Sequence, residues 1–257
     1  MRLAVAPLAA LLVLVAAGGC GGGDEPTSDP SSVEGVPWVL VSGVDVDGWE
    51  ASAPSISFGE DGTASGSSGC NQWGGSYTFD GDTLELGEIA MTSMGCPPPA
   101  DEVERAYMDA LEQASRWRLE DEELVLLDGD NAELLRYQAA SPVGDWQAIG
   151  LLQGDAFTSL LAGTEITASF DEGGALSGSA GCNTYNSTYT TDGGTIEIAE
   201  PSSTRMACPE PEGVMDQEAA YLAALPTVVG FRVERGVLEL LNAEGSAVVS
   251  YTSGGTE

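Results

Sequence analysis

The sequence predicts a mainly β chain (α+β): two tandem small antiparallel β-barrel or half-barrel domains, each with one packed helix. Three observations carry this reading. One unit of more than a hundred residues is written twice in the 257-residue chain. Each copy consists largely of short apolar segments separated by Gly, Asp and Pro. In each copy one stretch at helical spacing precedes the last three strand-like segments. The length suits two domains of roughly 100–150 residues each.

The first element is a leader, residues 1–19. Met1-Arg2 gives a positive start, and Leu3 to Ala17 contains only small and apolar residues. That run is too short to span a bilayer, which takes about 20 apolar residues, so it reads as an export signal. Ala17-Gly18-Gly19-Cys20 resembles the lipobox of bacterial lipoproteins, with Ala17 where that family favours Leu. The resemblance implies cleavage before Cys20, lipidation of Cys20, and anchoring to the outer face of the cell membrane; stable anchoring takes two acyl chains. Ordinary cleavage after Ala17, leaving Cys20 as an odd free thiol, is the alternative. Residues 20–35 follow as a tether in which Val33 is the lone large apolar side chain. With nothing to pack it is expected to be a flexible coil of roughly 20 Å reach.

The repeat then sets the domains, 36–140 and 141–257. Ser65-Gly66-Ser67-Ser68-Gly69-Cys70-Asn71 recurs as Ser177-Gly178-Ser179-Ala180-Gly181-Cys182-Asn183, an offset of 112. Phe58, Tyr77, Thr92, Met94 and Cys96 recur at that offset as Phe170, Tyr189, Thr204, Met206 and Cys208. Past Pro209 to Gly213 the offset becomes 114, pairing Tyr107 with Tyr221, Trp117 with Phe231, Leu124 with Leu238 and Tyr137 with Tyr251. Each copy opens on a Trp, Trp38 and Trp146.

In the first copy Trp38 to Ser42, Ser55 to Phe58 and Thr63 to Ser68 read as strands. Ser76 to Phe79 and Thr83 to Leu86 flank Asp80-Gly81-Asp82, a hairpin signal, which Asp192-Gly193-Gly194 repeats. Val103, Tyr107, Ala110, Leu111 and Ala114 share one helical face, with Asp101 and Glu102 suited to the positive N-terminal end. Met215 to Leu225 is the counterpart, stopped by Pro226. Arg116 to Glu120, Glu123 to Leu127 and Glu133 to Gln138 complete the strands. Many short strands plus one helix argue for a barrel or half-barrel that the helix plugs.

Cys70 and Cys96 are 26 apart, as are Cys182 and Cys208. Two per domain in an exported chain read as one disulfide per domain, contributing roughly 3–4 kcal/mol in the chain-entropy model. Unpaired buried thiols and a functional thiol pair are the alternatives. The chain has no CxxC spacing and no His to complete a zinc site.

Gly-Cys-Asn, a Tyr a few residues on, then Thr-x-Met-x-Cys resembles the META domain, the family of the bacterial heat-shock protein HslJ. The resemblance covers both repeats. Thr204-Arg205-Met206-Ala207-Cys208 follows the family pattern closely, whereas the first copy departs from it, with Ser93 and Gly95 in place of the usual Arg or Met and Ala. It implies a small β-barrel-like fold packed on a helix, links to envelope stress, drug tolerance and secretion, and no catalytic residues to carry over.

Structural roles account for the motif. Gly69 and Gly181 allow a bend; Asn71 and Asn183 suit turns whose side chains bond nearby backbone. Thr92, Met94 and Cys96 alternate, as do Thr204, Met206 and Cys208, so a strand would put each set on one face, with Met as a filler of the core. Ligand binding at these residues is the alternative.

Composition excludes most catalytic classes. All eight basic residues are Arg; the chain lacks His and Lys. Imidazole bases, His metal ligands, Schiff bases and lysine phosphate loops are therefore absent. A net charge of −33 opposes nucleic acid and anionic headgroups. The acids are spread, 21 in residues 36–140 and 16 in 141–257, and mark no single partner site. Asp45 to Glu50 and Asp128 to Asn131 look like calcium loops but miss the twelve-residue spacing, and read as solvated turns. Glu85 and Glu197 recur, on the solvent side by strand alternation. No metal and no cofactor are implied.

The expectation is a non-enzymatic envelope lipoprotein, with a binding or stress-tolerance role, whose partner is an unknown envelope protein or a small apolar ligand. Three rivals differ in class. A carrier of an apolar molecule or lipid would need a cavity between helix and sheet, which a core filled by Met94, Trp117, Tyr107 and their counterparts would oppose. A two-carboxylate hydrolase would need acids converging about 5–9 Å apart. A peptide- or protein-binding interdomain groove would show an exposed apolar patch. In native mass spectrometry of residues 21–257, exported to an oxidising compartment, a mass four hydrogens below the reduced value is expected; an intact reduced mass overturns the disulfides, and an adduct identifies a carried ligand.

Overall fold

A computed structural model describes residues 29–154 and 156–254. The leader, Cys20 and tether residues 20–28 lie outside the described residues. The first copy runs β1 (Pro37–Ser42), β2 (Ser55–Phe58), β3 (Thr63–Ser67), β4 (Gln72–Asp80), β5 (Thr83–Leu86), β6 (Ala90–Met91), α1 (Ala100–Leu111), β7 (Arg116–Glu120), β8 (Glu123–Leu127) and β9 (Glu133–Ala139). The hydrogen-bonded order is β3-β2-β1-β9-β8-β7-β5-β4, and β3 pairs again with β4, which closes an eight-stranded antiparallel barrel. β6 lies along β4 beyond the end of β5.

The second copy repeats the order with β10 (Gly144–Gln153), β12 (Thr167–Phe170), β13 (Ala175–Ser179), β14 (Thr184–Asp192), β15 (Thr195–Ile198), β16 (Ser202–Ser203), α2 (Val214–Ala224), β17 (Gly230–Glu234), β18 (Val237–Leu241) and β19 (Ala247–Ser253). β10 pairs with β19 to close it. A further strand, β11 (Ala156–Ser159), folds back on the long end of β10 and has no counterpart in the first copy. There a short 3-10 turn, Trp49–Ser52, precedes β2.

Closure requires strands to cross closely. At Gly66 in β3 an added Cβ would run into the Ser55 carbonyl, and at Gly178 in β13 into that of Thr167. Glycine at these equivalent places lets β3 and β13 pass over β2 and β12.

Apolar side chains fill both lumens. In the first, Trp38, Phe58, Leu84, Trp117, Leu124 and Tyr137 pack with Val103, Tyr107 and Leu111 from α1. In the second, Phe170, Tyr185, Ile196, Phe231, Leu238 and Tyr251 pack with Tyr221 from α2. Fully burying one such side chain contributes about 1.5–3 kcal/mol; α1 is held by an apolar stripe, and α2 by Val214 and Tyr221 beside the buried Gln217 and Glu218. The tyrosine hydroxyls inside pair with one another. Tyr107 hydrogen-bonds Tyr137 at 3.2 Å and donates to the Ser55 carbonyl; Tyr221 bonds Tyr185 at 2.7 Å and Tyr251 at 3.0 Å.

The expectation that residues 29–35 have nothing to pack is corrected. Val33 is fully buried in the first core. Its carbonyl accepts from the Trp38 indole at 3.1 Å, and Glu34 accepts from the Tyr77 hydroxyl at 2.7 Å. A buried indole N–H needs an acceptor, and the chain just ahead of each opening Trp supplies it; Pro142 does so for Trp146 at 2.7 Å. The first domain therefore begins before residue 36.

Burial raises the hydroxyl pKa of all seven tyrosines, with Glu34 adding to the effect at Tyr77 and Asp171 at Tyr189. A group whose pKa is raised by folding stabilises fully below its unfolded value and loses that contribution as pH climbs through the folded value. Phenolate absorbance in the native protein is accordingly expected to stay flat past pH ~10 and then rise in one step with loss of circular dichroism. Early titration of several tyrosines would contradict the packing.

Candidate functional site

The repeated motif converges on a clamp at one end of each barrel. β3 ends at Ser67 and the chain turns through Ser68 to Asn71, with Gly69 at φ +93° and its counterpart Gly181 at φ +106°. A left-handed backbone there suits glycine. In the second copy the turn aims two N–H groups at one carboxylate: Asn183 donates to Glu218 Oε2 at 2.7 Å and Cys182 at 3.3 Å. The Asn183 side-chain amide donates to Glu218 Oε1 at 2.8 Å. In the first copy Glu104 Oε2 accepts from the Asn71 backbone and amide, both at 3.0 Å, and from the Ser68 hydroxyl. Glu104 and Glu218 stand on α1 and α2 three residues before Tyr107 and Tyr221, so the tyrosine that anchors each helix also sets the carboxylate on the turn.

The other side of the carboxamide holds a loop. Asn71 Oδ1 accepts from the Thr92 hydroxyl at 2.9 Å and the Met94 N–H at 2.7 Å, while its amide donates to the Met94 carbonyl at 3.2 Å. Asn183 repeats this on Thr204 at 2.7 Å, the Met206 N–H at 2.7 Å and the Met206 carbonyl at 3.1 Å. The Cys70–Cys96 and Cys182–Cys208 disulfides tie the same loops to the same turns, each with Cα atoms 6.0 Å apart.

Two expectations change here. Asn71 and Asn183 bond backbone more than twenty residues away rather than local turns. Met94 and Met206 do not fill the core: each is 58% exposed. The reason is that β6 and β16 end at Met91 and Ser203, where the chain leaves the sheet to meet the asparagine. Strand alternation stops with it, and the methionine side chains face out. Met91 and Met215 are exposed beside them, and the Met215 sulfur accepts from the Cys208 N–H at 3.5 Å.

The clamp carboxylates recur at the 114 offset that relates Tyr107 to Tyr221, a signal that the sequence offered. Glu218 is only 5% exposed, and among the described residues neither Glu218 nor Glu104 pairs with an Arg. Turn and amide donors balance them instead. Glu85 and Glu197 are exposed. Asp128 accepts from the Asp130 and Ala132 N–H groups, closing its own turn.

The barrels meet where the Gly194 N–H donates to the Gly35 carbonyl at 3.1 Å and Gln72 to Glu234 at 3.2 Å. A groove of about 360 Å³ runs there between Val39, Ser57 and Gln72 of the first barrel and Phe231, Arg232 and Val233 of the second. No exposed large apolar side chain of the described residues lines it.

The family model of the META domain matches residues 31–141 and again 142–254. Among solved structures the chain is similar to an NMR structure of a protein from Burkholderia xenovorans, 22% identical over 50% of this chain and 99% of that one, TM-score 0.38. A second NMR structure is 29% identical over 43% and 93%, TM-score 0.34. A crystal structure of a DUF4847 family protein from Bacteroides vulgatus is 15% identical over 44% and 94%, TM-score 0.30. No curated protein matches the chain.

Replacing Asn183 with Ala orphans the Met206 backbone and strips Glu218 of a donor, which is expected to cost about 3 kcal/mol. Asn183→Asp sets a carboxylate against Glu218, so it is expected to cost more at pH 7 and to recover part of the loss as pH falls and one carboxyl takes a proton. Urea unfolding at pH 7 and pH 4.5 measures both; two equal, pH-independent losses would contradict the clamp.

Proposed function

The chain belongs to the META-domain family, with two tandem copies, and from that premise we propose that it is a non-enzymatic, lipid-anchored envelope protein that binds a protein partner through its two Thr-x-Met-x-Cys loops. One observation carries the reading: Met94 and Met206, at equivalent places, are both 58% exposed on loops held by a buried asparagine, a carboxylate and a disulfide. A fixed, exposed, polarizable side chain suits an adaptable apolar contact. Ordering the loop beforehand lowers the entropy lost on binding. The disulfides fit an oxidising compartment, and the leader with Cys20 fits export and anchoring outside the membrane. The filled lumens offer no support to the carrier reading, and the groove between the barrels lacks the apolar patch that a peptide site there would present.

The test replaces both methionines. Met94→Ala with Met206→Ala truncates side chains that lie mostly in solvent, so stability is expected to hold within about 0.5 kcal/mol per site. In a strain lacking the native protein, the wild-type chain is expected to restore tolerance to detergent and envelope-acting drugs, and the double variant is expected not to. Full complementation by a double variant that is normally folded and abundant would overturn the assignment of the loops.

A further inference from the structure

The hairpin peculiar to the second barrel carries an unprotected sheet edge. Among the described residues β11 pairs only with β10, in the register Leu151↔Thr158, Leu152↔Phe157 and Gln153↔Ala156. The positions i and i+3 that close a hairpin form a hydrogen-bonded pair, here Gln153 with Ala156. Bonded and non-bonded pairs alternate along an antiparallel ladder, so Thr158 directs its N–H and C=O inward to Leu151. Phe157 and Ser159 therefore direct theirs outward along the open edge. The chain then leaves, with the Leu161 N–H donating to Gln217 at 2.7 Å.

Natural edges are blunted by charge, proline or a covering element. Among the described residues no element covers β11, and its own four residues carry neither charge nor proline, in a chain rich in acids. From Trp146 to Gly163 the sole charged residue is Asp155. Phe157 lies across Gly150, where an added Cβ would strike its ring, and remains 48% exposed; Ile149 is 50% exposed.

We infer that β11 is the docking edge for a second copy of this chain, paired antiparallel about a twofold axis through Thr158. Two chains at −33 repel over most of their surfaces and meet at least cost along this edge, where charge is sparsest. The edge is also complementary to itself. With Thr158 opposite Thr158 of the second copy, each Phe157 faces the other chain's Ser159, and all outward N–H and C=O groups find partners. The isologous contact closes at two copies, joining the second barrels and leaving all four methionine loops free.

Cysteine cross-linking tests the register. Opposed residues of a non-hydrogen-bonded pair have Cα atoms about 4.5 Å apart, within disulfide reach. Thr158→Cys, expressed in the full chain with its own leader, is expected to run mostly as a doubled mass on a non-reducing gel. Ala156→Cys sits about 14 Å from its mate along the strands, at about 3.4 Å per residue, and is expected to stay single. Phe157→Glu is expected to halve the mass measured by light scattering for the detergent-purified chain with its circular dichroism unchanged. No cross-link at Thr158→Cys with the thiol open to maleimide, equal cross-linking at both positions, or a band of any other mass overturns the proposal.

Discussion

Each barrel turns on one buried carboxamide. Asn71 and Asn183 have four hydrogen-bonding sites apiece and divide them between two elements: the amide donates both to a helix carboxylate and to the loop methionine carbonyl, and the oxygen accepts from the loop. The turn after β3 or β13, the helix and the loop between sheet and helix are otherwise separate in sequence, and this side chain is where they meet. In a dry setting such a network is strong when complete and costly when a member is missing. That constraint explains why a glutamate without a cationic partner can lie 5% exposed at Glu218. It also explains why the loop holds its methionine outward without a strand to support it.

The two copies satisfy the same core differently. Tyr185 places a hydroxyl against Tyr221, which continues to Tyr251. Its equivalent, Trp73, has a buried indole nitrogen with no hydrogen-bond partner, and the first copy keeps only the Tyr107–Tyr137 pair. The second core thus holds a fully connected chain of hydroxyls and the first a shorter one. On the outside the copies differ in kind: the first barrel buries Val33, from ahead of β1, in its core, while the second extends β10 into an added hairpin. Duplication preserved the clamp and relaxed the periphery.

Much of this was legible from the residues. Ser55 to Phe58, Thr83 to Leu86, Arg116 to Glu120 and Glu123 to Leu127 read as strands and are strands with those bounds, because alternation or apolar runs lie between unambiguous turns. The first half of β4 was not legible: Gln72-Trp73-Gly74-Gly75 is polar and glycine-rich, and its strand character comes from the neighbours that enclose it. Met94 was misread because apolar was equated with buried, whereas polar partners elsewhere in the fold fix the backbone there. Glu104 and Glu218 were overlooked for the mirror reason, as acids on a helix normally face water. Val33 looked isolated because the indole that needs it lies in the next segment.

Because the first and last strands of each barrel pair with one another, a domain's entry and exit lie side by side, and β9 passes to β10 through residues 140–143 alone. Such a unit can be strung in series indefinitely without altering one internal pairing. It can equally be reopened at another turn and its original ends spliced, yielding a permuted barrel with the same neighbours. Growth by copying therefore needs no new packing solution, only a short connector, and each added barrel is free to acquire its own edges and loops.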